Sequence, residues 1–162
     1  MADAQSSMPE IWFYHLQHQP LEKALPSLLE KALDKGWRVV VQAAAEERLD
    51  ALDDTLWTYA DASFLAHGRA RDGDAEMQPI YLTTGSENPN GAKLRLFVEG
   101  ADVPAALATT PREAYERLIL LFDGADEDQL VAARMQWKTL KEQGHILAYW
   151  QQGARGGWEK KA

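Results

Sequence analysis

Apolar positions along the chain follow two periods. Glu10 to Leu16, EIWFYHL, is an aromatic-rich run of strand length with apolar groups facing both ways, which predicts a central strand. Leu25, Leu28, Leu29, Ala32 and Leu33 recur at helical spacing and predict a helix over Leu21 to Lys35 that stops at Gly36. Pro26 lacks the N–H that a helix interior uses, so the regular helix should start within about one turn before it. Trp37 to Ala44, WRVVVQAA, is a β-branched strand, and Leu49, Leu52, Leu56 and Trp57 predict a second helix over Ala45 to Tyr59. Two apolar strands joined by a helix-length crossover make a parallel pair, the unit of doubly wound α/β folds.

Beyond it the pattern predicts a short strand Ser63 to Ala66, a polar segment Gly68 to Gln78, a strand Pro79 to Thr84, the turn-rich GSENPNG, and a strand Lys93 to Glu99. The last two strands and their turn are compatible with a hairpin. A Pro/Ala segment around Val103 to Thr110 and a helical turn at Arg112 to Glu116 precede Leu118 to Phe122, LILLF, a buried-strand run. A long helix follows, with Asp126, Glu127 and Asp128 on the free N–H groups of its first turn and Gly144 as its stop; His145 to Trp150 is the last strand. The expectation is one α/β domain over residues 10–150, a three-layer, Rossmann-like, doubly wound and mostly parallel sheet, with residues 1–9 and 151–162 as flexible tails.

Composition narrows the function. With 162 residues and no cysteine, the chain needs no staples and has neither thiolate zinc sites nor Cys nucleophiles, which fits the cytoplasm. No apolar run approaches the roughly 20 residues of a membrane span. A formal charge of −8 opposes direct DNA binding, which gains affinity by neutralising phosphates with clustered cations. A basic stripe on such a protein points instead to an acidic protein partner.

Such a stripe lies on the long helix. At about 100° per residue, Leu130, Ala133, Trp137 and Leu140 share one arc, and Arg134, Lys138 and Lys141 form the adjoining one. Trp137 stands at the seam, so its ring can line a groove beside three cations, the form of a receptor for an acidic peptide. The same spacing is also that of any solvated helix face, and a Trp at such a position commonly belongs to the core.

Catalytic patterns are missing. The first strand is followed by Gln17-His18-Gln19-Pro20, without the glycines that let a backbone approach a pyrophosphate. Gly85 to Lys93 imitates a P-loop with the wrong spacing and reads as a plain hairpin turn. No G-x-S-x-G occurs, and Asp53 and Asp54, adjacent on a helix, point apart. His15 and His18 read as two surface imidazoles at a strand end with no third metal ligand nearby, so neither metal nor cofactor is expected. The pattern favours an interaction module over the alternative, a small cytoplasmic nucleotide-binding α/β enzyme.

Leu56-Trp57 followed by Ser63-Phe64-Leu65-Ala66-His67, and Ala133-Arg134-x-x-Trp137-Lys138 ending at Gly144, resemble motifs of the chi subunits of bacterial DNA polymerase III holoenzymes, and element order agrees from about Glu10 to Trp150. The resemblance implies a noncatalytic clamp-loader accessory protein that tethers the polymerase assembly to single-stranded DNA-binding protein by holding its acidic, Phe-terminated C-terminal tail. Arg134, Trp137 and Lys138 would be the tail-binding positions, and helix geometry adds Lys141. Trp57, Phe64 and His67 match a second face toward a psi subunit or a helicase; aromatics at a helix end and a strand start also have an ordinary core reading. There are two departures: Ala66 stands where the family has a proline, and Leu130 stands where some members carry a basic residue, which implies a weaker or shifted tail site.

Overall fold

The structure, a computed structural model, describes residues 10–17, 19–58, 67–155 and 157–162. Among these residues, eight strands form one sheet: β1 (Ile11–Leu16), β2 (Val39–Gln42), β3 (His67–Arg69), β4 (Ile80–Thr83), β5 (Leu94–Phe97), β6 (Arg117–Asp123), β7 (Leu147–Gln152) and β8 (Trp158–Lys160). Their order is β3-β4-β2-β5-β6-β1-β7-β8, and every neighbouring pair is parallel except β7 with β8. The described α-helices are α1 (Leu21–Asp34), α2 (Glu46–Thr58), α3 (Val103–Thr109) and α4 (Glu127–Glu142).

Strand alternation sorts the side chains into two cores. Ile119 and Leu121 of β6 join Val39, Val41 and Leu96 beneath Leu25 and Leu29 of α1 and Leu49, Leu52 and Leu56 of α2. Leu118, Leu120 and Phe122 of the same strand join Phe13 and Phe97 beneath Val103 of α3 and Ala133 and Leu140 of α4. The sheet is thus covered on both faces, which is why its strands read as continuous apolar runs, and the expected three-layer α/β architecture is present. Helix α1 begins at Leu21, a little more than one turn ahead of Pro26, and buries that proline.

Two expectations are corrected. The predicted hairpin is absent, because β4 and β5 both run parallel to β2 and lie on opposite sides of it. Residues 84–93 must therefore return from the C-terminal edge of the sheet to its N-terminal edge, and polar anchors hold them there. Arg95, 1% exposed, donates from Nη2 to the Gly85 carbonyl at 2.7 Å, from Nη1 to the Glu87 carbonyl at 2.8 Å, and from Nη2 to Gln42 Oε1 at 2.6 Å. Asn90 donates to the carbonyls of Gln78 at 2.9 Å and Val39 at 3.2 Å. The glycines and asparagines that suggested a tight turn serve a long crossover without a helix.

The second correction concerns residues 151–162, expected as a tail. Gln151 and Gln152 continue β7, and β8 pairs antiparallel with it. Trp158 gives the reason: its ring stacks on Tyr14 with centroids 4.2 Å apart, burial that a glycine-rich composition does not reveal. The predicted strand Ser63 to Ala66, like Phe64, His18 and residues 1–9, lies outside the described residues.

Candidate peptide-binding site

Helix α4 is placed by its ends. The Asp126 side chain accepts from the backbone N–H of Asp128 at 3.0 Å and of Gln129 at 3.2 Å, satisfying two donors that the first turn leaves open. At the other end Gly144 adopts φ +87°, which turns the chain out of the helix and into β7. Gln136 fixes the roll of the helix, accepting from Val103 N at 2.9 Å and donating to the Ala101 carbonyl at 3.0 Å.

That orientation leaves a slot of about 480 Å³ between α4 and the sheet. Phe13 and His15 of β1, Phe122 of β6 and Tyr149 of β7 form its floor; Leu130, Ala133, Arg134 and Trp137 of α4 form one wall, and Ala162 stands at the margin. Trp137 is half-buried and meets two rings edge to face, Phe13 at 5.1 Å and 78° and Tyr149 at 6.1 Å and 75°. Trp137 thus packs on the second core and also presents a ring to the slot. Arg134 is exposed and lines the slot, whereas Lys138 and Lys141 are exposed on the helix outside it. Leu130 extends the apolar wall.

Sequence reasoning missed His15, Tyr149, Phe13 and Phe122 as neighbours, because parallel strands far apart in sequence bring them together. His15 is half-buried, not a surface imidazole: its Nδ1 is hydrogen-bonded to the Tyr149 hydroxyl, and its ring lies so close to Gly124 that a Cβ there would collide with it. Burial holds the imidazole below its ordinary 6.5, with Asp123 pulling the other way and Arg134 adding to the lowering. Burial also raises the Tyr149 phenol, opposed by Arg134. Near neutral pH the slot thus holds a neutral imidazole and a neutral phenol, and Arg134 is the charged side chain among its lining residues.

Of the second set of predicted residues, Trp57 and His67 are described, and they meet at the β3 edge of the sheet. Trp57 is 59% exposed at the end of α2, its ring 4.9 Å from that of His67, whose Nε2 lies 2.7 Å from Asp53 Oδ1. Trp57 is thus at the surface and not in the core, whereas the imidazole of His67 beneath it is 1% exposed, so the expectation that His67 itself lies on a partner face is corrected: its ring is taken up by Asp53 and Trp57.

The crevice at the C-terminal ends of β1 and β6, where doubly wound folds commonly hold phosphates, is lined by Glu22, Glu99 and Asp123. Burial raises the Glu99 carboxyl, opposed by the Arg48 guanidinium that pairs with it at 3.1 Å. Among the described residues no group of three or more His, Asp or Glu is arranged to hold a metal, and no helix is long and apolar enough to cross a membrane.

Fold and slot together define an α/β protein with a concavity that sets aromatic side chains beside the Arg134 guanidinium. The family model for the DNA polymerase III chi subunit, HolC, matches residues 8–148, and the chain belongs to that family, making it an accessory subunit in DNA replication. It is similar to the probable DNA polymerase III subunit chi of Rickettsia prowazekii (strain Madrid E), 27% identical over 117 residues that cover 72% of this chain and 71% of the relative.

Proposed function

We propose that the slot beside α4 receives the acidic, Phe-terminated C-terminal tail of single-stranded DNA-binding protein, and that the chain thereby links the clamp loader to DNA coated with that protein. The observation that carries this reading is the position of Arg134 on the wall of an aromatic slot whose other lining side chains are uncharged at neutral pH. A phenylalanine ring fits among Trp137, Phe13, Phe122 and Tyr149. Its α-carboxylate then lies within reach of a guanidinium that grips it with two parallel hydrogen bonds. The slot's 480 Å³ exceeds one ring and accommodates the preceding apolar residue against Leu130. Lys138 and Lys141, outside the slot on the same helix, meet the aspartates further up the tail, where solvent screens each contact.

The protein acts in the cytoplasm by binding alone, without catalysis, cofactor or direct contact to DNA. The acidic crevice at the strand ends opposes the alternative, a nucleotide-binding enzyme. Trp57 is the part of a second face, for a psi subunit or a helicase, that the described residues support: its ring is exposed and is backed by the buried imidazole of His67, which Asp53 holds, and Phe64 falls between the two in sequence.

The test is capture on immobilised single-stranded DNA coated with the binding protein. The chain should be retained by the intact protein and released when the last few residues of its tail are deleted. Equal retention in both cases removes the tail from the account.

A further inference from the structure

Residues Tyr149 to Ala162 lie beyond the span matched by the family model, which ends at residue 148, yet they complete the slot. Tyr149 supplies part of its floor, and the strand that returns along β7 holds Tyr149 on both sides: Lys161 N donates to the Tyr149 carbonyl at 2.7 Å, and Tyr149 N donates to the Ala162 carbonyl at 3.3 Å. The return is pinned by Trp158 stacked on Tyr14, and closed by Gly153 N donating to the Gly157 carbonyl at 2.7 Å. Beyond the register pairs Trp150↔Lys160 and Gln151↔Glu159 the ladder bulges: Lys161 N and Ala162 N both donate to the Tyr149 carbonyl, at 2.7 and 3.4 Å, so these two residues together oppose Tyr149 at the margin of the slot. Lys161 is exposed there and paired with Glu159 at 3.2 Å.

Resting on the tail-receptor reading, we propose that this last strand is a specificity-determining wall of the slot: it fixes Tyr149 against Trp137 so that the slot selects an aromatic terminal residue, and it adds Lys161 as a cation for the acidic part of the tail. The chemistry is complementary on both counts. An edge-to-face pair of fixed rings leaves a flat gap that suits a third ring better than a branched aliphatic group. Lys161, on the strand that borders the slot, adds a cation to those of α4 once a run of aspartates competes with Glu159 for it, on a chain that is otherwise acidic.

The experiment compares two fluorescent peptides, one ending in aspartates, an apolar residue, Pro and Phe, the other with Leu in place of the Phe. Wild type should prefer the Phe peptide by about tenfold. Trp158→Ala, which unpins the strand, should weaken the Phe peptide about fivefold or more and bring the two peptides close together, while Lys141→Ala weakens both alike. Lys161→Glu, at an exposed position where folding is not at issue, should weaken both peptides about threefold at low salt, and the loss should fade at high salt. Wild-type selectivity retained in Trp158→Ala, or wild-type affinity retained in Lys161→Glu, overturns the proposal while leaving the receptor in place. Failure of wild type to bind either peptide removes the receptor reading itself.

Discussion

Trp137 meets Phe13 edge to face at 5.1 Å, so the aromatic residue of α4 and the central strand β1 hold each other at the slot. The ring proposed to meet the tail is therefore also structural. Trp137→Ala should cost roughly 2–3 kcal/mol, less than for a fully buried tryptophan, and abolish tail binding. Trp137→Phe should recover most of both. Urea unfolding and peptide titration of the two variants measure the split; a Trp137→Ala protein of unchanged stability contradicts the packing described.

Trp57 differs in kind, being 59% exposed. Trp57→Ala should change stability by no more than about 0.5 kcal/mol and leave tail-peptide affinity intact, while abolishing a pull-down of psi-like or helicase partners. A thermal melt beside the pull-down decides between interface and support.

Acid should weaken the fold through two histidines. Burial holds both His15 and His145 below their ordinary 6.5, and for His145 the Arg112 charge adds to the effect. Between the folded values and 6.5 the unfolded chain binds more protons than the folded one, so stability is lost as pH falls through that window and is fully present above it. Melting temperature should drop between about pH 7.5 and about pH 5.5, and a His15→Gln, His145→Gln double variant should flatten the drop. An unchanged slope in the double variant contradicts the assignment.

How much of this was readable beforehand follows from the range of each interaction. Periodicity gave α1, α2, α4 and most strands within a few residues, because Leu25, Leu29, Ala133 and Leu140 meet one sheet face along a single element. The seam position of Trp137 beside Arg134 was likewise visible in the helical spacing. The floor of the slot was not: His15 and Tyr149 are 134 residues apart, and strand pairing is what joins them. β8 was lost for a similar reason, since the partner of Trp158 is Tyr14, at the other end of the chain. The hairpin failed because turn composition tells that a chain bends, not which edge of the sheet it returns to.

The crossover that replaced the hairpin depends on Arg95. Removing its side chain leaves Gln42 and the carbonyls of Gly85 and Glu87 without their donor in a buried site. Arg95→Ala should cost about 3–5 kcal/mol, and Arg95→Lys, with fewer donors in another geometry, should recover only part. Any folded fraction should still bind the tail peptide, since the α4 slot does not include Arg95. Denaturant midpoints check the first statement.

The receptor role of α4 is tested most directly by titrating the acidic, Phe-terminated peptide into wild type, Arg134→Ala and Arg134→Lys, each first verified as folded by circular dichroism. Wild type should bind in a salt-dependent manner. Arg134→Ala should bind at least about tenfold more weakly, and Arg134→Lys should not rescue it, because an ammonium cannot make the two parallel contacts to a carboxylate. Equal binding by wild type and Arg134→Ala would contradict the account and leave Arg134, Lys138 and Lys141 as a solvated helix face.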